Sequence, residues 1–415
     1  MPSIKFVHAA DLHLDSPFKG LQHLPENILN RLKESTFASF SNLVSYTIRE
    51  KADFLLLAGD LFDEDNRSLK AQLKLKREFE KLNRAGIAVY AIHGNHDHLG
   101  GEWLHVEWPE NVRVFSHEKV ECLPFYKQGK LAAHLYGYSY PERSVAANMT
   151  QHYIKQPGAP FHIGLLHGSL EGGTEEHDVY SPFTIRELEA AGFDYWALGH
   201  IHKREVLPSD ETVIIYPGNL QGRHRKETGR KGCYSVTLNE SGASAEFAPL
   251  QDIMWEESAV NLEGIESIDQ VMNLIREEKE TVRGLGVPVV LTVVLSGKTD
   301  LAADLKNAEV IKDLLGALNE EEEERSDFVW LGKMADYTLL QADKERLKLD
   351  SVFYRDFFNV TEQYSSFREA AAPLYGHAAI RKHLGHFSEE EQQDMIREAE
   401  ALVLAELLRG EGARK

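Results

Sequence analysis

Cysteine is almost missing from this chain of 415 residues: Cys122 and Cys233 are the only two, with no CxxC spacing. A disulfide framework and a thiolate zinc site are therefore excluded, and both residues read as small buried hydrophobes. Long apolar runs are lacking as well. No segment approaches the roughly 18–20 residues needed to cross a bilayer. The opening Met1-Pro-Ser-Ile-Lys-Phe-Val passes straight into a strand-like segment without a charged and then apolar leader. A cytoplasmic protein is the expectation. Positive charge is short, with 46 Lys and Arg against 66 Asp and Glu, which excludes a generic basic coat for nucleic acid. The deficit is uneven, however. Residues 251–415 carry 34 acidic and 19 basic side chains, whereas the first 250 carry 32 and 27. The acidity lies mostly away from the motifs described next, so charge alone neither supports nor excludes DNA.

The length predicts two or three domains. In the first half, strand and helix patterns alternate. Ile4-Lys-Phe-Val-His-Ala-Ala, Phe54-Leu-Leu-Leu-Ala and Ala88-Val-Tyr-Ala-Ile are apolar strands, the second continuous enough to be buried on both faces. Residues 26–50 and Leu69–Leu82 have helical spacing. Leu135-Tyr-Gly-Tyr, Phe161-His-Ile-Gly-Leu-Leu, Tyr195-Trp-Ala-Leu and Val213-Ile-Ile-Tyr follow as strands, with a helix at Thr184–Ala191. This is an α/β pattern. Near residue 250 it changes to a smaller α+β unit: a helix at Ile265–Glu280, a strand from Val287, one helix over Leu301–Leu318 and a strand at Phe328-Val-Trp-Leu. The run Glu320–Glu324 reads as a solvated loop or helix end. Ser388–Arg409 is an acidic helix with an apolar stripe, suited either to packing on its own domain or to a partner. The expected divisions are 1–250, 251–350 and a helical 351–415.

Five segments carry chemistry: Asp11-Leu-His13, Gly59-Asp60-Leu-Phe-Asp63, Gly94-Asn95-His96-Asp97, His167-Gly168 and Gly199-His200-Ile-His202. Four directly follow a strand, where ligand sites of α/β sheets collect. Carboxylate, carboxamide and imidazole make a mixed oxygen and nitrogen set, suited to manganese, iron or zinc. Polar groups at strand ends inside a core need a partner, and a metal supplies one. Any one triplet arises by chance, whereas five in order do not. Asp63 reads as a hydrogen-bonding neighbour of the ligands. Asp15 and Asp65 read as loop residues, and His8, His93, His98 and His162 as strand or loop histidines.

The order DxH…GDxxD…GNHD…H…GHxH resembles the calcineurin-like metallophosphoesterases, and more closely their SbcD-like branch, the nuclease subunits of DNA double-strand-break repair complexes. His8-Ala-Ala-Asp-Leu-His-Leu-Asp-Ser-Pro-Phe and Tyr216-Pro-Gly-Asn-Leu-Gln-Gly-Arg-His are similar to the YhaO-type bacterial DNA repair exonucleases of that branch. The resemblance spans residues 4–250. It implies a sandwich of two mixed β-sheets flanked by helices, then an α+β cap and C-terminal helices. It also implies two metal ions, most simply manganese, one held by Asp11, His13, Asp60 and His202 and the other by Asp60, Asn95, His167 and His200. His96 would aid the leaving group, and Asp97 would orient His96 or a ligand histidine. Homodimers and an SMC-like coiled-coil ATPase partner, docking on the C-terminal helices, belong to the same implication. Leu14-Asp-Ser-Pro departs from the Leu-Gly common in that branch.

Arg223, Arg225, Lys226, Arg230 and Lys231 form a glycine-punctuated basic loop that is a candidate nucleic-acid contact, while the lysines and arginines of Leu69–Leu82 and its end read as a solvated helix face. The leading expectation is a DNA exonuclease or endonuclease acting in repair. A phosphodiesterase or phosphatase for nucleotides or small phosphoesters, and a scaffold subunit of an ATPase complex, are the alternatives.

Overall fold

Side chains along a strand point alternately to opposite faces, so a strand that is apolar throughout must be covered on both sides. The structure, a computed structural model, describes residues 2–18, 24–63, 68–100, 104, 106–172, 180–340, 344–364, 366–376 and 388–412. Asp65 lies outside the described residues. The chain divides into two units, Met1–Glu256 with Val287–Val290, and Glu257–Gly286 with Leu291–Lys415.

The first unit covers its strands with two six-stranded sheets set face to face. One contains β1 (Ser3–Ala9), β2 (Phe54–Ala58), β3 (Ala88–Ile92), β4 (Val112–Val114), β11 (Gly232–Asn239) and β12 (Gly242–Pro249), in the order β12-β11-β1-β2-β3-β4. The other contains β5 (Glu121–Lys127), β6 (Lys130–Gly137), β7 (Phe161–His167), β8 (Tyr195–Gly199), β9 (Glu205–Leu207) and β10 (Val213–Tyr216), in the order β5-β6-β7-β8-β10-β9. Each has a parallel centre and antiparallel pairing toward an edge. Alternation sorts the residues. Phe6, Phe54, Leu56, Leu165, Tyr195 and Ala197 meet between the sheets. Val7, Leu55 and Leu57 face outward, against Phe40 and Leu43 of α1 (Glu26–Arg49) and Leu75 and Phe79 of α2 (Leu69–Arg84). Leu166, Trp196 and Leu198 point outward from the second sheet, against Leu188 of α3 (Ile185–Ala190). The result is the expected helix-flanked sandwich of two mixed sheets.

The second unit is built on a sheet of β13 (Met254–Asn261), β14 (Val289–Ser296) and β16 (Val329–Asp336), in the order β13-β14-β16, with a short pair, β15 (Lys298–Thr299) and β17 (Leu339–Leu340). Its helices are α4 (Ile268–Arg283), α5 (Ala302–Leu305), α6 (Ala308–Asn319), α7 (Lys344–Asp350), α8 (Val352–Glu362), α9 (Phe367–Gly376) and α10 (Glu389–Gly412). The single helix expected over Leu301–Leu318 is two, because Asn307 leaves the helical conformation and its side chain caps the second by accepting from Glu309 N. The acidic run also differs from expectation at one position. Glu322 is buried, receiving Lys279 at 2.8 Å and Arg283 at 2.7 Å. Leu404 of α10 packs with Tyr354 and Phe358 of α8.

Phe54 is fully buried and stacks on Phe6 at 5.1 Å between the sheets. Phe54→Ala is expected to lower unfolding free energy by about 3–5 kcal/mol, read from the denaturation midpoint at unchanged slope. A change below about 1 kcal/mol would contradict the packing described.

Candidate metal centre

The motifs emerge where the parallel strands end. Asp11 follows β1, Asp60 follows β2, Asn95 and His96 follow β3, His167 closes β7 and His200 follows β8. Beyond the strand ends, the first two loops stay in register: Asp11 N–H donates to Gly59 O at 3.1 Å, and His13 N–H to Asp60 O at 3.0 Å. This tight course forces left-handed backbone on residues other than glycine, with φ of 52° at Asp11, 43° at His13, 50° at Asp60 and 96° at His200. Such conformations cost about 1–3 kcal/mol each and persist only where the surroundings over-determine them. Glycine is required where groups crowd the backbone. A Cβ at Gly94 would meet Asp60 Oδ1 and, at 2.6 Å, His167 Nε2.

Ligand-type atoms converge in three overlapping groups: Asp11, His13 and His202; His13, Asp60 and His96; and Asp11, Asp60 and His167. His13 Nδ1 stands 3.0 Å from the Asp63 carboxylate, and His202 Nδ1 stands 2.8 Å from Glu227. Glu227 accepts the His202 Nδ1 proton, and the Asp63 carboxylate beside His13 Nδ1 favours the proton there by charge, which leaves the lone pair on each Nε2. Those two Nε2 atoms face each other at 3.0 Å. On the other side, His167 donates Nδ1–H to Ala58 O at 3.0 Å, and its Nε2 faces Asn95 Oδ1 at 3.0 Å and Asp60 Oδ2 at 3.4 Å. Acceptors meeting acceptors in a buried place repel unless a cation lies among them, so the donor set fits divalent metal ions on both sides of Asp60. His200 also enters through its backbone, donating N–H to both Asp11 oxygens at 3.0 and 3.2 Å.

Burial lowers the His13 pKa to about 3, assisted by the Arg223 charge, so the ring is neutral as a ligand requires. For His167 burial acts the same way, yet the facing Asp60 and Asp11 raise it to about 9. Burial disfavours Asp60 as an anion, but His167, His13 and His96 outweigh it and hold the carboxyl well below its ordinary range. These opposed shifts mark a cluster that demands positive charge.

His96 donates Nδ1–H to Asp63 O at 2.7 Å, while its backbone N–H binds Asp60 Oδ1 at 2.9 Å. Asp97 is buried and bonds Gly94 N–H at 2.7 Å, Leu61 N–H at 2.9 Å and the His93 ring at 2.8 Å. It thus ties two motif loops together, and its ring partner is His93, where His96 or a ligand ring was expected. His8 and His162 bond Tyr195 and Tyr136 in the core, as strand histidines. Of the basic loop, Arg225, Lys226 and Arg230 are exposed, but Arg223 pairs with Asp63 and Lys231 donates to His202 O at 3.2 Å. On α2, Lys70 and Lys74 pair with Glu34 of α1, in keeping with a solvated helix face.

Sequence reasoning missed Glu227, because a carboxylate 25 residues beyond its histidine, inside a basic loop, fits no spacing rule. It also missed Tyr140 and Tyr216, whose hydroxyls donate to His167 O and Gly168 O at 2.7 Å. In sequence Tyr140 is a loop aromatic and Tyr216 the last residue of a strand, and neither position signals a bond to the His167 loop.

Comparison with known proteins identifies the family. Residues 4–204 match the calcineurin-like phosphoesterase family, and residues 255–338 match the middle domain of metallophosphoesterase YhaO. A Bacillus subtilis (strain 168) protein described as the uncharacterized metallophosphoesterase YhaO is 44% identical over 407 residues, covering 98% of both chains. The DNA double-strand break repair protein Mre11 of Sulfurisphaera tokodaii is 27% identical over 224 residues, 52% of this chain and 53% of its own. A dimetal phosphatase structure from Danio rerio aligns with 60% of this chain and all of its own, at 11% identity and a TM-score of 0.37. Among the described residues no helix is long and apolar enough to cross a membrane. Since the YhaO likeness runs through both units and the strand-end motifs alike, the chain belongs to the calcineurin-like metallophosphoesterases, metal-dependent hydrolases of phosphoester bonds.

Proposed function

We propose that the chain is a manganese-dependent DNA nuclease acting in repair, cleaving phosphodiesters without regard to base sequence. The observation that carries this reading is a groove of about 800 Å³ that opens beside His202 and is lined by Lys203, Arg204, Lys226, Arg230 and Lys231. A monoester needs no cations beyond those at the reacting phosphate. A polynucleotide carries further phosphates to either side, and clustered lysines and arginines gain affinity by releasing its counterions. The relationship to a protein named for double-strand break repair supports the same choice.

In this reading Asp11, His13, Asp60 and His202 hold one ion, and Asp60, Asn95, His167 and His200 the other. Divalent ions held there would lower the pKa of a bound water and offset the charge of the phosphate oxygens. The chain's own work is positional. Asp63 O fixes the His96 ring through Nδ1–H, so that in its protonated form the ring would present Nε2–H to the developing charge or give that proton to the leaving oxygen. Asp97 holds the 94–97 turn in which His96 sits. Homodimers and an SMC-like coiled-coil ATPase partner complete the proposal. An apolar groove on the C-terminal helices, with Phe357, Tyr364, Phe367, Met395 and Val403, supports a helical partner there.

His96→Ala is expected to retain two bound ions per chain by elemental analysis while kcat on DNA falls by about 10²–10⁴. Loss of metal with activity would instead make His96 a ligand. The combined change Arg225→Gln, Lys226→Gln and Arg230→Gln should raise KM for duplex DNA and flatten its salt dependence. The log–log slope should fall by about 0.9 for each phosphate left without its cation, with a smaller effect on an aryl phosphodiester. Wild-type turnover confined to small esters or cyclic nucleotides, with DNA untouched, would sink the nuclease reading.

A further inference from the structure

Arg223 turns inward from the basic loop to another motif. Its Nη1 contacts Asp63 Oδ1 across 160 residues of sequence. From that pair, interactions run both ways. Asp63 Oδ1 is also 3.0 Å from His13 Nδ1, and its main-chain carbonyl accepts from His96. Toward the other side, Arg223 Nη2 lies 3.5 Å from His202 Nδ1 and 3.8 Å from Glu227 Oε1. Glu227 receives the His202 ring on Oε1 and the Arg223 backbone N–H on Oε2, at 2.8 and 2.7 Å. The path closes where His13 and His202 face each other. It therefore forms a ring of five side chains: His13, Asp63, Arg223, Glu227 and His202. None is more than 17% exposed.

The opposite side of the centre has different support. His167 is anchored by the main-chain carbonyl of Ala58, within paired strands, and the side-chain ring does not include it. Resting on the ligand assignment above, we propose that Arg223 is a positioning residue. Together with Asp63 and Glu227 it sets the affinity of the ion held by His13 and His202, and it leaves the ion held by Asn95, His167 and His200 unaffected. The physical reason is charge and geometry. A carboxylate beside each ring, Asp63 at His13 and Glu227 at His202, keeps the proton on Nδ1 so that both Nε2 lone pairs point at one place. A guanidinium between them offsets their mutual repulsion, bonding Asp63 through Nη1 while Nη2 faces Glu227 at 3.8 Å, a two-pronged arrangement that an ammonium cannot match. Because Asp63 also holds His96, the same brace joins that ion's site to the proton-transfer ring.

The test titrates metal-free protein with Mn²⁺ by calorimetry, and by electron paramagnetic resonance at one and two equivalents, for wild type, Arg223→Gln, Arg223→Lys and Glu227→Gln. Arg223→Gln is expected to bind one ion as wild type does and the other about 10–100-fold more weakly, so that a mononuclear spectrum persists where wild type shows a coupled pair. Near-isosteric Glu227→Gln should shift in the same direction, and serves if Arg223→Gln fails to fold. Arg223→Lys should recover only part of the loss, and Arg223→Gln with Glu227→Gln should cost less than the sum of the two. Two ions at wild-type affinity in Arg223→Gln and Glu227→Gln, or equal weakening of both ions, would overturn the proposal. A raised KM for DNA with metal binding intact would assign Arg223 to substrate instead. Wild-type protein that binds fewer than two ions would overturn the ligand assignment itself, and the brace with it.

Discussion

Mutual repulsion among buried acceptors is the constraint on which the site depends. Asp11, Asp60, Asn95 and the Nε2 atoms of His13, His167 and His202 are brought to one place by loops from both sheets. Nothing in hydrophobic burial favours that arrangement, since each group leaves water to meet others of its own kind. A metalloenzyme accepts the cost because the cation that resolves the repulsion is the one that does the chemistry. The opposed shifts of Asp60 and His167 record the same demand in protons, with imidazole drawn toward its charged form and carboxyl held as the anion.

Stability for so unfavourable a cluster comes from the sandwich beneath it. The strands below the motifs are buried on both faces, so the positions of their ends leave little freedom. Main-chain bonds then carry the β1–β2 pairing past the strand ends into the loops, and Asp97 joins the β2 and β3 loops through Leu61 and Gly94. Left-handed backbone at Asp11, His13, Asp60 and His200 is strain held by this framework. Relaxing it would require breaking pairing that the core fixes.

What could be read in the sequence follows from what each feature needs. Phe54–Ala58 announces itself as a doubly buried strand and the run from Phe161 as a strand, and the residues after them as a site, because burial and strand-end placement depend on local pattern. The antiparallel strands β11 and β12 were not legible, since β12 alternates small and exposed residues and depends on pairing with β11 for its conformation. The helix break at Asn307 turned on a single capping side chain, which periodicity averages away. Glu322 looked like part of a solvated run because the cations that bury it, Lys279 and Arg283, lie some 40 residues away. Glu227 and Arg223 shared that fate: their partners Asp63 and His202 belong to other motifs, and no spacing rule encodes a contact made by folding.

This last contrast bears on how charge should be read in such a loop. Five cations between residues 223 and 231 suggest one electrostatic surface, yet the structure divides them by burial. Arg223 and Lys231 turn toward the metal centre, where each is engaged by the motif residues themselves. Arg225, Lys226 and Arg230 stay in solvent. Inward cations act in a low-dielectric setting on a fixed partner, so their effect is specific and hardly screened, whereas the outward ones act through counterion release and fade with salt. One short segment can therefore shape the site and meet a polyanion at the same time. A substitution there has to be interpreted by which way its side chain points, not by the charge it removes.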